Sequence, residues 1–112
     1  MTPSNAAVYQ VRSCTPESLR TLAGFLELAL DEGASVVLMR MGTHARDVYV
    51  GDPSGTFESL RDEGVVLAVQ ADEILALTRI GLNRITADEQ QYRFLRSVRY
   101  IADRQVAVFT PT

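Results

Sequence analysis

The chain has no lysine and no tryptophan, and it has a single cysteine, Cys14, and a single histidine, His44. Without a second cysteine, a disulfide framework and a zinc site built on several cysteines are excluded. One histidine likewise excludes a histidine-rich metal site. We therefore expect a cytoplasmic protein that needs no cofactor.

Long apolar runs and the common catalytic motifs are missing too. No stretch approaches 18 apolar residues, and the first residues lack the basic start and apolar core of a signal peptide. We expect no membrane association. The spacings of a P-loop, a GxGxxG loop, a GxSxG nucleophile and a His-x-x-x-His zinc helix are absent as well. The sequence thus favours a noncatalytic protein.

Charge is present but unevenly distributed, and all 11 basic residues are arginine. Residues 1–70 carry five arginines and nine acidic residues, a net of −4, whereas residues 71–112 carry six arginines and five acidic residues, a net of +1. A GC-rich genome explains the absence of lysine more simply than function does. The overall charge of −3 and the pI near 5.0 argue against binding to nucleic acid.

A length of 112 residues predicts a single domain, residues 1–112, of which we expect 1–6 to be disordered. Hydrophobic residues make up 46% of the chain and charged residues only 22%. A domain this small has little interior to hide that much apolar side chain, so we expect a protein partner or a homodimer.

The first part of the chain predicts the order β-α-β-β-α-β over residues 7–70. The expected elements are a strand at 7–12, a helix from Thr15-Pro16 to a stop at Gly33, strands at 34–41 and 47–51, a short helix at 54–63 and a strand at 65–70. The motif ESLR at 17–20 recurs at 58–61, and DEG at 31–33 recurs at 62–64. This pattern predicts an α+β fold with a ferredoxin-like split βαβ core.

The last third of the chain predicts a helical extension and a final edge strand. Residues 72–80 favour a helix, although their alternation also permits a hairpin with the preceding strand. Thr86 and Glu89 have the spacing of a capping box, which predicts a helix to about residue 102. Residues 106–110 predict a strand at the edge of the sheet.

That predicted last helix carries the most specific surface feature of the sequence. Arg93, Arg96 and Arg99 follow at steps of three, which places them on one helix face, and Tyr92, Tyr100 and Arg104 accompany them. Arginine and tyrosine are enriched at binding hot spots, so we predict a partner-binding surface. The alternative is a solvated helix face.

A second candidate site lies around the predicted hairpin turn. His44, Arg46 and Asp47 are neighbours there, and Cys14 precedes the first helix, where the helix dipole favours a thiolate. These residues would serve a cofactor-free small enzyme or a ligand-binding regulator. A solvated histidine and a packed cysteine are the simpler interpretations.

We therefore predict a noncatalytic interaction or regulatory domain, of the kind found among adaptors and among inhibitors from phages or mobile elements. It would act by docking on a protein or by dimerising, and the small enzyme or ligand-binding regulator remains the alternative.

Overall fold

The computed structural model describes residues 15–40 and 44–112. These residues form an α+β fold with two helices and a six-stranded antiparallel sheet. In chain order the elements are α1 (Glu17–Glu32), β1 (Ser35–Arg40), β2 (Ala45–Gly51), a 3-10 turn (Phe57–Ser59), β3 (Arg61–Leu67), α2 (Ala68–Leu77), β4 (Gly81–Ala87), β5 (Gln90–Ile101) and β6 (Arg104–Pro111).

The sheet consists of two three-stranded meanders joined side by side. Its strand order is β3-β2-β1-β6-β5-β4, so β1 and β6 meet at the centre, where Val36 lies opposite Phe109. One helix precedes each meander. Because β1 and β6 pair at the centre, β3 and β4 are the two edge strands of the described sheet.

Helix α1 begins and ends where its sequence predicts. Pro16 precedes the first helical residue, and Gly33 ends the helix with a φ of 62°. The N–H of Gly33 donates to the Leu30 carbonyl, and the N–H of Ala34 donates to the Ala29 carbonyl at 2.8 Å. A left-handed glycine with these bonds satisfies the last helix carbonyls. Thr15 makes no cap; its Oγ1 donates to the Thr86 carbonyl instead.

The sheet has two different faces because side chains alternate along each strand. On the face that we call the helix face, α1 and α2 cover the main core, which includes Leu22, Leu26, Val36, Leu38, Ile74, Phe94 and Phe109. Neither described helix covers the opposite, open face. A smaller core lies there, formed by Val37, Met39, Tyr49, Leu60, Ile101, Val106 and Val108 with Phe57 packed against it.

The ferredoxin-like arrangement is not supported by the strand order or by the number of helices. The helix predicted at 54–63 is only a 3-10 turn, and β3 already starts at Arg61. The reason is packing: the ring of Phe57 lies edge-on against Tyr49, at 5.3 Å between centroids, and draws this connection onto the open face. The strand predicted at 7–12 lies outside the described residues.

The helix predicted after Thr86 is wrong, because these residues form β4, a tight turn and β5. Asp88 and Glu89 have φ values of 53° and 68°, and Ala102 and Asp103 have φ values of 52° and 64°. Two consecutive residues with positive φ make the two-residue hairpin turn that matches the twist of a sheet. The predicted capping box is therefore a hairpin turn.

The other predictions for this region name the correct type of element, helix or strand, but not its position. The helix expected at 72–80 is α2, which begins earlier, at Ala68. The strand expected at 106–110 is β6, but it pairs with both β1 and β5 and is central. Neither α1 nor α2, the helices of the described residues, is long and apolar enough to cross a membrane.

Candidate functional site

The residues predicted to bind a partner lie on a strand, so they do not share one face. Arg93 and Arg99 point to the open face, whereas Tyr92 and Arg96 point to the helix face. Tyr92 is buried, and its hydroxyl donates to Glu27 Oε1 at 2.9 Å. Burial and this hydrogen bond raise the pKa of Tyr92. Tyr92 is therefore part of the core.

Arg96 also has a structural role, because it holds the carboxyl end of α2. Its Nη1 donates to the Leu75 carbonyl at 3.0 Å and to the Thr78 carbonyl at 2.8 Å. Its Nε is buried without a hydrogen-bond partner among the described residues. The other two predicted contacts are exposed: Tyr100 at 73%, and Arg104, whose Nη1 donates to the Arg40 carbonyl.

The structure does not bring together the described residues of the second predicted site. Arg46 and Asp47 are consecutive on β2, so their side chains lie on opposite faces. Asp47 accepts a long hydrogen bond, 3.4 Å, from the Tyr49 hydroxyl; burial of Tyr49, followed by the charge of Asp47, raises the pKa of Tyr49. His44 is exposed, and Cys14 lies outside the described residues. Within the described ranges, no three His, Cys, Asp or Glu residues cluster to hold a metal.

A site that the sequence did not reveal lies where β4 pairs with β5. Arg84 and Arg93 are directly opposite each other, both exposed, and neither forms an ion pair within the described part of the chain. The next pair on the same face is Leu82 opposite Leu95, with exposed fractions of 64% and 40%. We call these four residues the arginine–leucine surface.

A groove of about 670 Å³ runs beside this surface. It is lined by Leu82, Arg84 and Arg93, and also by Arg79 from the turn between α2 and β4. The side chain of Asn83 fixes that turn: its Oδ1 accepts the N–H of Arg79 at 3.0 Å, and its Nδ2 donates to the Arg79 carbonyl at 2.7 Å. Three arginines therefore border one groove, and the side chain of Asn83 holds the backbone of the third, Arg79.

The ion pairs of the described residues involve other arginines. Glu32 and Glu63 both bind Arg61, at the opposite edge of the sheet. The hydrogen bond from Arg61 lowers the pKa of Glu32. Asp88, in the turn that follows β4, pairs with Arg20 of α1 at 3.2 Å. Within the described residues Arg84 and Arg93 thus form no ion pair, although Asp88 and Glu89 lie in the turn of the same hairpin and the net charge of the protein is negative.

A smaller groove of about 300 Å³ lies between α2 and the helix face of the sheet. Leu38, Leu75 and Ala107 contribute apolar walls, and Arg40, Arg46 and Arg96 also line it, together with Asp72. Of the residues predicted for a small-molecule pocket, Arg46 is the one that lines this groove.

Comparison with known proteins gives no relative: no protein-family model, no curated protein and no solved structure matches the chain. The function must therefore be derived from the contacts and charges described above.

Proposed function

We propose that this protein is a noncatalytic domain that docks on a partner protein through its arginine–leucine surface, and that the partner presents carboxylates there. The observation that carries the proposal is the direct opposition of Arg84 and Arg93. Like charges at directly opposite positions of a sheet destabilise the free protein. A carboxylate bound between two guanidinium groups would replace this repulsion with charge-assisted hydrogen bonds.

The apolar half of the surface supports the same proposal. Leu82 and Leu95 form an exposed cross-strand pair immediately beside the two arginines. Contact with an apolar group of the partner would exclude water from this pair. Removing water also strengthens the neighbouring ionic contacts, because charges interact more strongly at low dielectric. Arginine is enriched at protein interfaces, and the fully buried centre of an interface is apolar.

Docking without catalysis is the mode of action of adaptors, regulators and inhibitors, including those carried by phages and mobile elements. Arg84 and Arg93, which form no ion pair within the described residues, support a docking role of this kind, and the choice among these classes depends on the partner's identity. Copurification from the host cell identifies it.

The test compares partners that copurify with three forms of the protein. The wild type is set beside the double variant Arg84→Glu with Arg93→Glu and a control double variant, Arg40→Glu with Arg99→Glu. The control makes the same change in net charge at exposed arginines outside the surface, and it avoids Arg20, which pairs with Asp88 beside β4. We expect one partner to be retained by the wild type and the control and lost from the first double variant. Equal recovery from all three forms would refute the proposal.

The alternative, a ligand-binding regulator, is favoured by one observation only, the groove beneath α2. Its apolar walls and arginines would suit a small apolar anion such as octanoate. A shift in melting temperature with octanoate that Ala107→Leu abolishes would support this alternative. A shift that survives the substitution would place octanoate elsewhere.

A further inference from the structure

We infer that the partner contributes an extended acidic segment that pairs antiparallel with β4 as a seventh strand and places a carboxylate opposite Arg84. The inference rests on the proposed function, because it uses the same arginines. It adds the conformation of the bound segment and the order of its side chains.

The edge strand β4 is regular, whereas the edge strand β3 is interrupted. All seven residues of β4 pair with β5 without a change of register. The pairing of β3 with β2 shifts between Val48 and Tyr49, and Asp62 and Glu63 lie at this irregularity. Bulges and charged residues are the means by which proteins protect a sheet edge from strand addition. Within the described chain, β4 is therefore the more regular edge, and a strand added there would displace the side-chain hydrogen bonds that the Thr86 and Leu82 carbonyls accept from Thr15 and Arg79.

Two hydrogen bonds show which backbone groups of β4 point outward. The Thr86 carbonyl accepts from Thr15 Oγ1 at 2.8 Å, and the Leu82 carbonyl accepts from Arg79 Nε at 3.4 Å. Both carbonyls thus point away from β5. The N–H and C=O of one strand residue point to the same side, and the side alternates along the strand. The N–H and C=O of Arg84, midway between these residues, therefore also point outward from the last described strand of the sheet.

This orientation fixes the order of side chains in the added strand. A partner residue that exchanges both main-chain bonds with Arg84 has its own side chain on the open face, directly opposite that arginine. A glutamate or aspartate at this position would meet Arg84, whose other cross-strand neighbour is Arg93. Two residues further along the segment lies the position opposite Leu82, which favours an apolar side chain, and two residues earlier lies the position opposite Thr86, which favours a polar one. The expected pattern is polar, any, acidic, any, apolar.

Charge argues against a second copy of this chain as the added strand. Arg84 is the middle residue of β4, so symmetric antiparallel pairing of two copies would place Arg84 opposite its equivalent. Each of these arginines already has Arg93 on its other side. Four arginines would be brought together, and like charges opposite each other are destabilising. An acidic segment would instead place a negative charge opposite Arg84.

The probe is a fluorescein-labelled, end-blocked heptapeptide of sequence serine, threonine, threonine, glutamate, threonine, valine, serine. Binding is measured by fluorescence polarisation at low salt. Arg84→Glu should weaken binding about tenfold or more, and a peptide with lysine in place of glutamate should recover affinity for that variant. Arg40→Glu, an exposed substitution on β1, serves as the protein control and should change the affinity by less than about twofold.

Two N-methylated peptides test the strand itself. Methylation of the glutamate nitrogen removes the N–H that bonds to the Arg84 carbonyl, so binding should weaken about tenfold or more. Methylation of the next threonine nitrogen, which points away from β4, is the matched control and should be tolerated. The bound peptide should also slow hydrogen exchange of the Arg84 amide, because that amide becomes a donor to the peptide.

The outcomes separate this inference from the proposed function. If the peptide methylated at glutamate binds as well as its parent, pairing of the peptide with β4 as a strand is refuted. Binding of an acidic partner to the arginines would remain supported. If the parent peptide does not bind at about 1 mM, the strand is likewise overturned. Copurification that is insensitive to Arg84→Glu with Arg93→Glu would refute the function and the strand together.

Discussion

Arg96 closes the carboxyl end of α2 through Thr78: its Nη1 lies 2.8 Å from the Thr78 carbonyl oxygen and 3.1 Å from Thr78 Oγ1. Carbonyl groups in the last turn of a helix have no partner within the helix, and their partial negative charge attracts a cation. An arginine from the sheet satisfies them here. The contact also fixes α2 against β5, the strand that carries Arg93.

Arg96→Met should lower the free energy of unfolding by about 2 kcal/mol, because the apolar stem is kept while buried carbonyls lose a charged donor. Urea denaturation measures the change. Arg93→Met is the control, and as an exposed substitution it should change stability by less than about 0.5 kcal/mol. Equal effects of the two substitutions would show that Arg96 does not hold α2.

Arg84→Glu should stabilise the free protein while it abolishes partner binding. The substitution turns a repulsive cross-strand pair with Arg93 into an attractive one, which is expected to contribute about 0.5 kcal/mol. The gain should shrink in 1 M salt, which screens exposed charges to a range of about 3 Å. Denaturation at low and high salt checks both statements. A variant that is less stable than the wild type at low salt would contradict the repulsion.

Gly51→Ala and Gly24→Ala should change stability in opposite directions. A Cβ at Gly51 would lie 2.8 Å from Leu60 Cδ2 and 3.1 Å from the Ser59 carbonyl, so we expect a loss of about 1–3 kcal/mol from overpacking. At Gly24, in the middle of α1, a Cβ meets nothing within 4 Å, and alanine should add up to about 1 kcal/mol. Thermal denaturation of both variants tests the close packing of the turn against the end of β2.

The free energy of unfolding should fall as the pH rises above about 10. Burial, and then the hydrogen bond to Glu27, raise the pKa of Tyr92 above its ordinary value of 10.0, so the unfolded chain loses this proton first. The stabilisation is complete below pH 10 and is lost as the pH rises through the folded-state pKa.

Urea denaturation at pH 8 and pH 11 should show a smaller loss for Tyr92→Phe than for the wild type. Some loss should remain in this variant, because burial also raises the pKa of Tyr49. An identical loss in both proteins would show that Tyr92 ionises equally well in the folded and unfolded states.

Both described helices were predicted from the sequence, but two further predicted helices, at 54–63 and after Thr86, are a 3-10 turn and a β-hairpin. Helix α1 carries local signals at both ends, Pro16 and Gly33, which act on neighbouring residues only. For residues 90–101, Leu95, Val98 and Ile101 fit a helix, whereas burial of Tyr92 and Phe94 follows the alternation of a strand. Pairing with β4 and β6 favours the strand over the helix, and this pairing is not local in sequence.

The candidate site was only half predictable for the same reason. Arg93 stood out in the sequence, but its neighbour Arg84 did not, because strand register depends on where the turn lies. Asp88-Glu89 lacks the glycine or asparagine typical of such turns. Once the turn is centred there, Leu82 lies directly opposite Leu95, and Arg84 lies directly opposite Arg93.

The interruption of β3 bears on whether copies of the protein could join edge to edge through β4. A chain of identical molecules linked edge to edge would require β4 of one copy to pair with β3 of the next. The shifted register and the acidic residues of β3 leave only the four residues 64–67 in regular pairing before α2 begins. We therefore expect no head-to-tail filaments and one partner segment per molecule.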